Sequence, residues 1–233
     1  MQVVNLYFAE QIGDGALAAM KGWRQLRELN LRGTKVTDAG LAHLANHTAL
    51  ESLDVGYSLF TDGGFDALTA IPNLKSLAVG GNKISDVGLN SLRLIPTLTS
   101  LDVSGVQRTD SGLWSASVTD SSLDVIGSLT HLEHLDLRGT KVSDAGTARL
   151  ARLTNLRTFN AAETQLSAQG LSVLAGLSKL EQVNLWNAAR VGDDVIPILV
   201  ALPNLKWVDL TGTKVSEQGR AKLRAARPGC RID

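Results

Sequence analysis

The sequence predicts an α/β solenoid in which each repeat adds one strand to a parallel sheet on the concave face and one short helix to the convex face. The pattern Leu-x-x-Leu-x-Leu recurs about every 24 residues, a period typical of stacked repeats. A second signal, Ser or Thr followed by Asp, follows most copies at a fixed distance, as at Thr37-Asp38 and Ser143-Asp144. These residues are frequent at helix starts.

The strand of each repeat is predicted from apolar residues at the first, fourth and sixth positions of the pattern. Leu29 and Leu31 alternate with polar neighbours, which indicates a strand buried on one side. A looser copy begins at Met1, and the clear copies begin at Leu26, Leu50, Leu74, Leu98, Leu132, Leu156, Leu180 and Leu205. We therefore expect a single domain of about nine repeats over residues 1–233.

The helix of each repeat is predicted from the residues that follow the strand. In the second repeat, Val36 returns the chain to the core, and Leu41, Leu44 and His47 form an apolar stripe at spacings of three. Neither element can bury its apolar side alone, so neighbouring repeats must stack. Because helices are wider than strands, we expect the stack to curve into a right-handed horseshoe with the sheet inside.

The most regular segments read Gly-Thr-Lys-Val-(Ser/Thr)-Asp-Ala-Gly, at 33–40 and 139–146, with a variant at 212–219. In these motifs and in its period the chain resembles leucine-rich-repeat proteins, of the bacterial type related to the ribonuclease-inhibitor-like and F-box-associated repeats. The resemblance implies the horseshoe fold and leaves the partner open, since members bind very different partners. Where the family usually has Asn after the strand, this chain mostly has Thr, whose hydroxyl can also satisfy the loop backbone. These residues are Thr34, Thr140, Thr164 and Thr213, with Asn82 as the exception.

One repeat contains an insertion. The step from Leu98 to Leu132 is about ten residues longer than the others, which places extra chain at 104–117, after the predicted strand. Insertions in repeat proteins often lie at the binding face, although surface insertions are also tolerated without a role. Because the insertion contains Trp114, we predict that it contributes to binding.

The two ends of the array differ. Residues 222–233 predict a half-repeat that buries Cys230 and Ile232 at strand positions. At the other end the chain starts directly on a strand, which leaves hydrogen-bonding groups and the apolar residues Val4, Leu6 and Ile12 at an edge. We expect self-association or an upstream domain to cover this edge.

Composition excludes several classes of partner. Lys plus Arg and Asp plus Glu both total 23, so a nucleic-acid surface or a polybasic membrane patch is not expected. No apolar run approaches the roughly 20 residues of a membrane span. The start has no signal-peptide pattern and the chain has one cysteine, which favours the cytoplasm.

The concave face is predicted to be acidic. Its charged residues, taken from the third, fifth, seventh and eighth positions of the pattern, are Glu28, Asp54, Asp102, Asp136, Glu163 and Asp209 against Arg32 and Arg138. Asp102 and Asp136 fall on successive strands, about 5 Å apart, where paired carboxylates can perform acid–base chemistry or hold a metal. An open sheet offers no cleft to shift their pKa values. We therefore interpret the row as a solvated polar ladder that attracts a basic partner.

Aromatic residues fall into two predicted groups. Trp23, Phe60, Phe65 and Phe159 occupy predicted core positions. Trp186, Trp207 and Tyr57 instead fall at concave positions, with Tyr7 and Phe8 nearby, and exposed tryptophan is typical of interface hot spots. Packing against neighbouring long side chains is the structural alternative.

No pattern of catalytic or cofactor-binding residues is visible. His43 and His47 are four residues apart, as metal ligands can be, but His47 stands where other repeats have Ile or Leu and is interpreted as a core residue.

We predict a non-enzymatic protein-binding scaffold without a metal or cofactor. The alternative is a substrate-recruiting adaptor arm of a larger ligase- or kinase-linked protein, and an enzyme that uses the Asp ladder ranks third. The predicted partner-binding residues are Asp54, Tyr57, Asp102, Trp114, Asp136, Arg138, Trp186 and Trp207.

Overall fold

The computed structural model describes residues 2–45, 47–109, 112–115 and 117–233, with the backbone alone for 106–109 and 112–115. The chain divides into two compact units, unit 1 (Met1–Val118) and unit 2 (Thr119–Asp233). One domain over 1–233 stays a prediction.

Unit 1 alternates strands and short helices. Its strands are β1 (Val3–Asn5), β2 (Glu28–Asn30), β3 (Ser52–Asp54), β4 (Ser76–Ala78), β5 (Ser100–Asp102), β6 (Val106–Thr109) and β7 (Gly112–Ser115). Its α-helices are α1 (Asp14–Met20), α2 (Asp38–Leu41), α3 (Phe65–Thr69) and α4 (Asp86–Leu89). Its 3-10 helices are Ala42–Leu44, Asp62–Gly64 and Asn90–Leu94.

Unit 2 has the same alternation. Its strands are β8 (His134–Asp136), β9 (Thr158–Asn160), β10 (Gln182–Asn184), β11 (Trp207–Asp209) and β12 (Arg231–Ile232). Its α-helices are α5 (Ser122–Ile126), α6 (Ala168–Leu171), α7 (Ile196–Ala201) and α8 (Glu217–Ala226). Its 3-10 helices are Thr147–Arg152, Ser172–Gly176 and Asp193–Val195.

The sheets confirm the predicted register. β1 to β5 pair in parallel in chain order in unit 1, and β8 to β12 do so in unit 2. Partners sit at equal pattern positions, so Leu29 pairs with Leu53 and Val183 with Val208. The predicted fold class, a leucine-rich-repeat α/β solenoid with a parallel sheet, is confirmed.

The core follows the repeat pattern. All first, fourth and sixth positions from Leu26 onward are buried, as are Phe60, Phe65 and Phe159. His47 is also buried, and its ring nitrogens contact the carbonyl oxygens of Leu44 and Met20 at 3.0 and 3.2 Å. The interpretation of His47 as a core residue is therefore confirmed.

Two predictions about the outer repeats are wrong. Trp23 was expected in the core but is 38 % exposed. Cys230 and Ile232 were expected to be buried but are only half-buried, although β12 forms the predicted half-repeat. These residues lie in the outermost repeats of this chain, which pack against a neighbouring repeat on one side only. The partial burial still raises the pKa of the Cys230 thiol.

In several repeats the turn after the strand uses a threonine hydroxyl, as predicted. Thr34, Thr140 and Thr164 donate to the carbonyl oxygens three residues earlier at 2.6–2.7 Å. Asn82 instead donates to two carbonyl oxygens, of Val79 at 2.8 Å and of Val55 at 2.7 Å. Threonine therefore takes over part of the role of the family asparagine.

The repeats are also joined by a device that the sequence reading missed. Asp144 at the start of one helix turn accepts hydrogen bonds from the backbone N–H of Ser167 at 2.8 Å and from its hydroxyl. Ser167 in turn caps α6. We call this pair of bonds the inter-repeat clasp. It also joins Asp14 to Thr37, Asp38 to Thr61, Asp62 to Ser85, Asp120 to Ser143 and Asp193 to Ser216.

The clasp explains a glycine in each clasped helix. A Cβ at Gly170 would lie 2.3 Å from Asp144 Oδ1, which no real contact tolerates. Glycines with a similarly placed carboxylate, 2.2–2.8 Å away, are Gly40, Gly64, Gly88, Gly146 and Gly219. At one junction all three partners are replaced together, by Ala168, Gly192 and Val195. Asp, hydroxyl and glycine therefore occur together at the six clasped junctions named above and are absent together at this one.

Candidate functional site

Of the predicted site residues, Asp54, Asp102 and Asp136 hold the fifth position of the pattern, which is Asp or Asn in most repeats. In most repeats this side chain accepts a hydrogen bond from the backbone N–H two residues later. Such bonds, 2.8–3.1 Å long, are made by Asn5, Asn30, Asp54, Asp102, Asp136, Asn160, Asn184 and Asp209. This Asx turn follows the strand in these repeats, so the row has a structural role that the sequence did not reveal.

In unit 1, three predicted site residues converge on Arg32. Arg32 Nε donates to Asp54 Oδ2 at 2.9 Å, and Nη2 donates to Asp102 Oδ2 at 3.0 Å. Its guanidinium carbon lies 5.3 Å from the centroid of the Tyr57 ring, within range of a cation–π interaction. The predicted acidic ladder is therefore partly neutralised within the protein.

Small residues allow Arg32 to lie along the sheet. A Cβ at Gly56 would lie 2.9 Å from the guanidinium carbon, and one at Gly80 would lie 2.8 Å from Asp102 Oδ1. With Ala78 at the intervening fifth position, the side chain reaches a carboxylate three repeats away. Although burial alone would lower it, the pKa of Arg32 is raised by the hydrogen bonds and charges of Asp54 and Asp102.

In unit 2, Arg138 has the equivalent position and joins two further residues. Its Nε donates to Glu163 Oε2 at 2.8 Å, and its guanidinium carbon lies 5.2 Å from the centroid of the Trp186 ring. Trp186 remains 36 % exposed. A large aromatic surface flanked by a guanidinium is typical of residues that anchor protein interfaces.

The two remaining predicted site residues of unit 2, Trp207 and Asp136, form hydrogen bonds with other residues of the same unit. Trp207 is half-buried, and its indole N–H donates to Asp233 Oδ2 at 2.8 Å. This bond lowers the pKa of Asp233. Asp136 accepts from Asn160 Nδ2 at 2.9 Å as well as from its own turn. Their roles in binding stay predictions.

The insertion is an antiparallel hairpin. β6 pairs with β7 from Val106 opposite Ser115 to Thr109 opposite Gly112. Gly105, at φ +118°, precedes it in a backbone conformation that favours glycine. The Trp114 side chain lies outside the described residues, so its predicted contact stays a prediction.

Sequence reasoning also missed a charged row at the second position of the pattern. In unit 1, Glu51 pairs with Arg27 at 3.2 Å and with Lys75 at 3.0 Å. In unit 2, Arg157 joins Glu133 and Glu181 at 3.1 and 2.8 Å. Hydrogen bonding to Lys75 lowers the pKa of Glu51. The alternating charge at intervals of 24 residues was the available signal, and exposed pairs of this kind stabilise a protein only slightly.

The described residues contain no group of three or more His, Cys, Asp or Glu that could hold a metal ion. Among the helices of the described chain, none has the length and apolar character needed to cross a bilayer.

Comparison with known proteins agrees with this geometry. The sequence model described as Leucine Rich repeat matches residues 24–45, 70–92 and 128–151. No curated protein sequence matches the chain.

Two solved structures from Listeria monocytogenes are similar. An internalin, InlF, is 22 % identical, with a TM-score of 0.61 over 92 % of this chain and 69 % of its own. Internalin C2 is 23 % identical, with a TM-score of 0.65 over 90 % of this chain and 88 % of its own. At this identity the likeness concerns the fold alone and leaves the ribonuclease-inhibitor-like or F-box-associated subclass a prediction. The chain therefore contains leucine-rich repeats and has the leucine-rich-repeat fold.

Proposed function

We propose that this chain is a non-enzymatic protein-binding scaffold whose sheet faces and 104–117 insertion contact a basic protein partner. Leucine-rich repeats generally serve as protein-interaction scaffolds. The observation that carries the proposal is the exposure of Trp186 on the face of unit 2, with Arg138 beside its ring.

The Trp186 surface is fixed before a partner arrives. The salt bridge from Glu163 holds the Arg138 guanidinium, and the backbone N–H of Trp186 donates to Asn184 Oδ1 at 2.9 Å. A rigid aromatic side chain loses little conformational entropy on binding. Trp186 therefore suits the role of a central anchor, with the charged residues around it providing orientation.

The charge of the faces supports a basic partner. In unit 1, Arg32 is shared between two carboxylates, so the network of Arg32, Asp54 and Asp102 carries one net negative charge. Glu28, the first residue of β2 and the third position of the pattern, adds an exposed carboxylate. A field of this sign raises the encounter rate with cations and weakens as salt is added.

Two tryptophans of nearly equal exposure provide the test. A partner is first captured from native lysate, and its affinity for the wild type, Trp186→Ala and Trp23→Ala is then measured by calorimetry. Trp23 is 38 % exposed but lies between α1 and β2, outside the sheet face. Truncation of a hot-spot tryptophan weakens binding by about 2 kcal/mol or more, so Trp186→Ala should reduce the affinity by about 30-fold or more. Trp23→Ala should change the affinity by less than about twofold.

Two further variants test the other parts of the proposal. Asp54→Asn with Asp102→Asn keeps an acceptor for the Asx turns but removes two negative charges, so the association rate should fall and depend less on salt. Removal of residues 105–114 should weaken binding if the hairpin contacts the partner. Unchanged affinity in Trp186→Ala, in the Asp double variant and in the deletion would refute the sheet-face site. The adaptor-arm alternative stays a prediction.

A further inference from the structure

Unit 1 exposes an apolar surface at the edge where its strands end. Tyr7 and Phe8 are 60 and 51 % exposed and form an edge-to-face pair with ring centroids 4.7 Å apart. Leu59 is 55 % exposed, and Tyr57 lies two residues before it. We call Tyr7, Phe8, Tyr57 and Leu59 the exit-edge patch.

Other repeats place glycine or lysine where the patch has apolar side chains. Tyr57 and Phe8 hold the eighth position of the pattern, which is glycine in the repeats of Gly33, Gly81 and Gly139. Leu59 holds the tenth position, which is lysine at Lys35, Lys83, Lys141 and Lys214. The patch therefore consists of departures from the regular repeat.

The eighth position also makes these departures unfavourable for the backbone. Tyr57 and Phe8 have φ values of +51° and +53°, where a residue with a side chain is less stable than glycine by about 1 kcal/mol. Each ring then packs over the glycine of the following equivalent position, Phe8 over Gly33 and Tyr57 over Gly81. Glycine at all of these positions would give a less strained but featureless edge.

A depression lies within the patch. It has a volume of about 370 Å³ and is bordered by Phe8, Tyr57 and Leu59, with Lys35 and Glu10 among its lining residues. This volume is near the lower end of ligand pockets, about 300–1,000 Å³, and suits one or two side chains of a protein segment. The tenth position is held in successive repeats by Glu10, Lys35, Leu59 and Lys83, so Leu59 has a lysine on either side and Glu10 lies one repeat beyond Lys35. The charged groups next to the apolar centre are therefore the two lysines.

We propose that the exit-edge patch binds a protein segment that presents a leucine or aromatic side chain next to a carboxylate. The apolar side chain enters the depression, and the carboxylate lies by Lys35. This inference rests on the proposed function, since it assumes that the chain binds proteins. It adds a second binding surface to the sheet faces. The sheet faces are proposed to bind a basic partner, whereas the exit-edge patch is proposed to bind an acidic segment.

A pair of fluorescent probes tests the patch without the natural partner. Anilinonaphthalene sulfonate combines aromatic rings with an anion, and N-phenyl-1-naphthylamine has the rings without the charge. Both are titrated into the full chain, the variant Tyr57→Gly with Leu59→Lys, and the variant Lys35→Gln. The double variant restores the residues of the sister repeats, so it should fold at least as well as the wild type.

The matched control is Asn187→Gly with Ala189→Lys, which introduces the same two residues at the same pattern positions in unit 2, where Asn187 also has a positive φ of +56°. We expect the patch variant to weaken sulfonate binding at least fivefold, despite its added positive charge, and the control variant to leave it unchanged. Lys35→Gln should weaken the sulfonate probe but not the neutral one. Leu59 methyl resonances should shift during the wild-type titration.

Three outcomes would overturn the inference. Equal sulfonate binding by wild type and patch variant would place the probe elsewhere. Equal effects of Lys35→Gln on both probes would remove the requirement for a carboxylate. A concentration-dependent dimer in sedimentation, lost in the patch variant, would show that a second copy of this chain covers the patch. None of these results depends on Trp186, so they are independent of the test of the sheet face.

Discussion

The inter-repeat clasp leads to a sharp prediction about Asp144 and Gly170. Asp144→Ala removes the acceptor of two hydrogen bonds and leaves the part-buried N–H of Ser167 without its partner. Hydrogen bonds to charged groups contribute about 1.5–3 kcal/mol each, and neighbouring bonds are not additive, so we expect a loss of about 2–4 kcal/mol. Gly170→Ala should lose a similar amount, because its Cβ would lie 2.3 Å from Asp144 Oδ1 and displace the carboxylate.

The double variant distinguishes a clasp from two separate effects. Once Asp144 is alanine, the added methyl group at Gly170 no longer meets a carboxylate, although its contact with the Asp144 Cα stays tight at 3.0 Å. Alanine is also favoured over glycine in a helix by up to about 1 kcal/mol. The double variant should therefore be close to Asp144→Ala in stability, so the coupling should be about as large as the Gly170→Ala loss, about 2–4 kcal/mol. Chemical denaturation of the wild type, the two single variants and the double variant measures this coupling. If the two single losses of stability sum to the loss in the double variant within about 0.5 kcal/mol, the clasp is refuted.

The junction without a clasp provides the control. Ala168→Asp alone should destabilise the protein, because Gly192 offers no hydroxyl and Val195 occupies the space that the carboxylate needs. Adding Gly192→Ser and Val195→Gly should recover part of that loss by completing a clasp. A triple variant no more stable than the sum of its single changes would contradict this explanation of the sequence.

Two other measurements follow from the structure. Leu135→Ala, at a buried strand position, should lower the free energy of unfolding by about 2–5 kcal/mol. Asp136→Asn keeps the acceptor of the Asx turn and should change the free energy of unfolding by no more than about 0.5 kcal/mol. Equal shifts of the denaturation midpoint by the two variants would show that the register is wrong. The hydrogen bonds from Ser216 lower the pKa of Asp193. The ionised carboxylate therefore stabilises the folded protein at pH values above the pKa that Asp193 has in the unfolded chain, about 4. This stabilisation is lost as the pH falls from about 4 through the pKa of Asp193 in the folded protein. In acid titrations monitored by circular dichroism, Asp193→Asn should therefore lose less stability than the wild type below about pH 4, and identical curves would contradict the role of this carboxylate.

The repeat, its register and most of its core could be predicted from the periodicity of the sequence. Each repeat meets the same environment, so an apolar residue at a given pattern position is buried in every internal copy. Leu29, Leu53 and Leu77 illustrate this, and even His47 follows the slot rather than its residue type. The rule fails at Trp23 and Cys230 because the outermost repeats have one packed neighbour.

Periodicity could not predict which polar side chains on the sheet already bond to one another within the protein. The pattern placed Asp54 and Asp102 on one face but could not show that Arg32 reaches both, since Asp102 is 70 residues away in sequence. Periodicity specifies the side of the sheet to which a residue points. The partner of a long side chain such as Arg32 depends on the length of that side chain and on small residues along its path, such as Gly56 and Gly80. Arg32 spans three repeats, and the repeat period does not predict a contact at that distance.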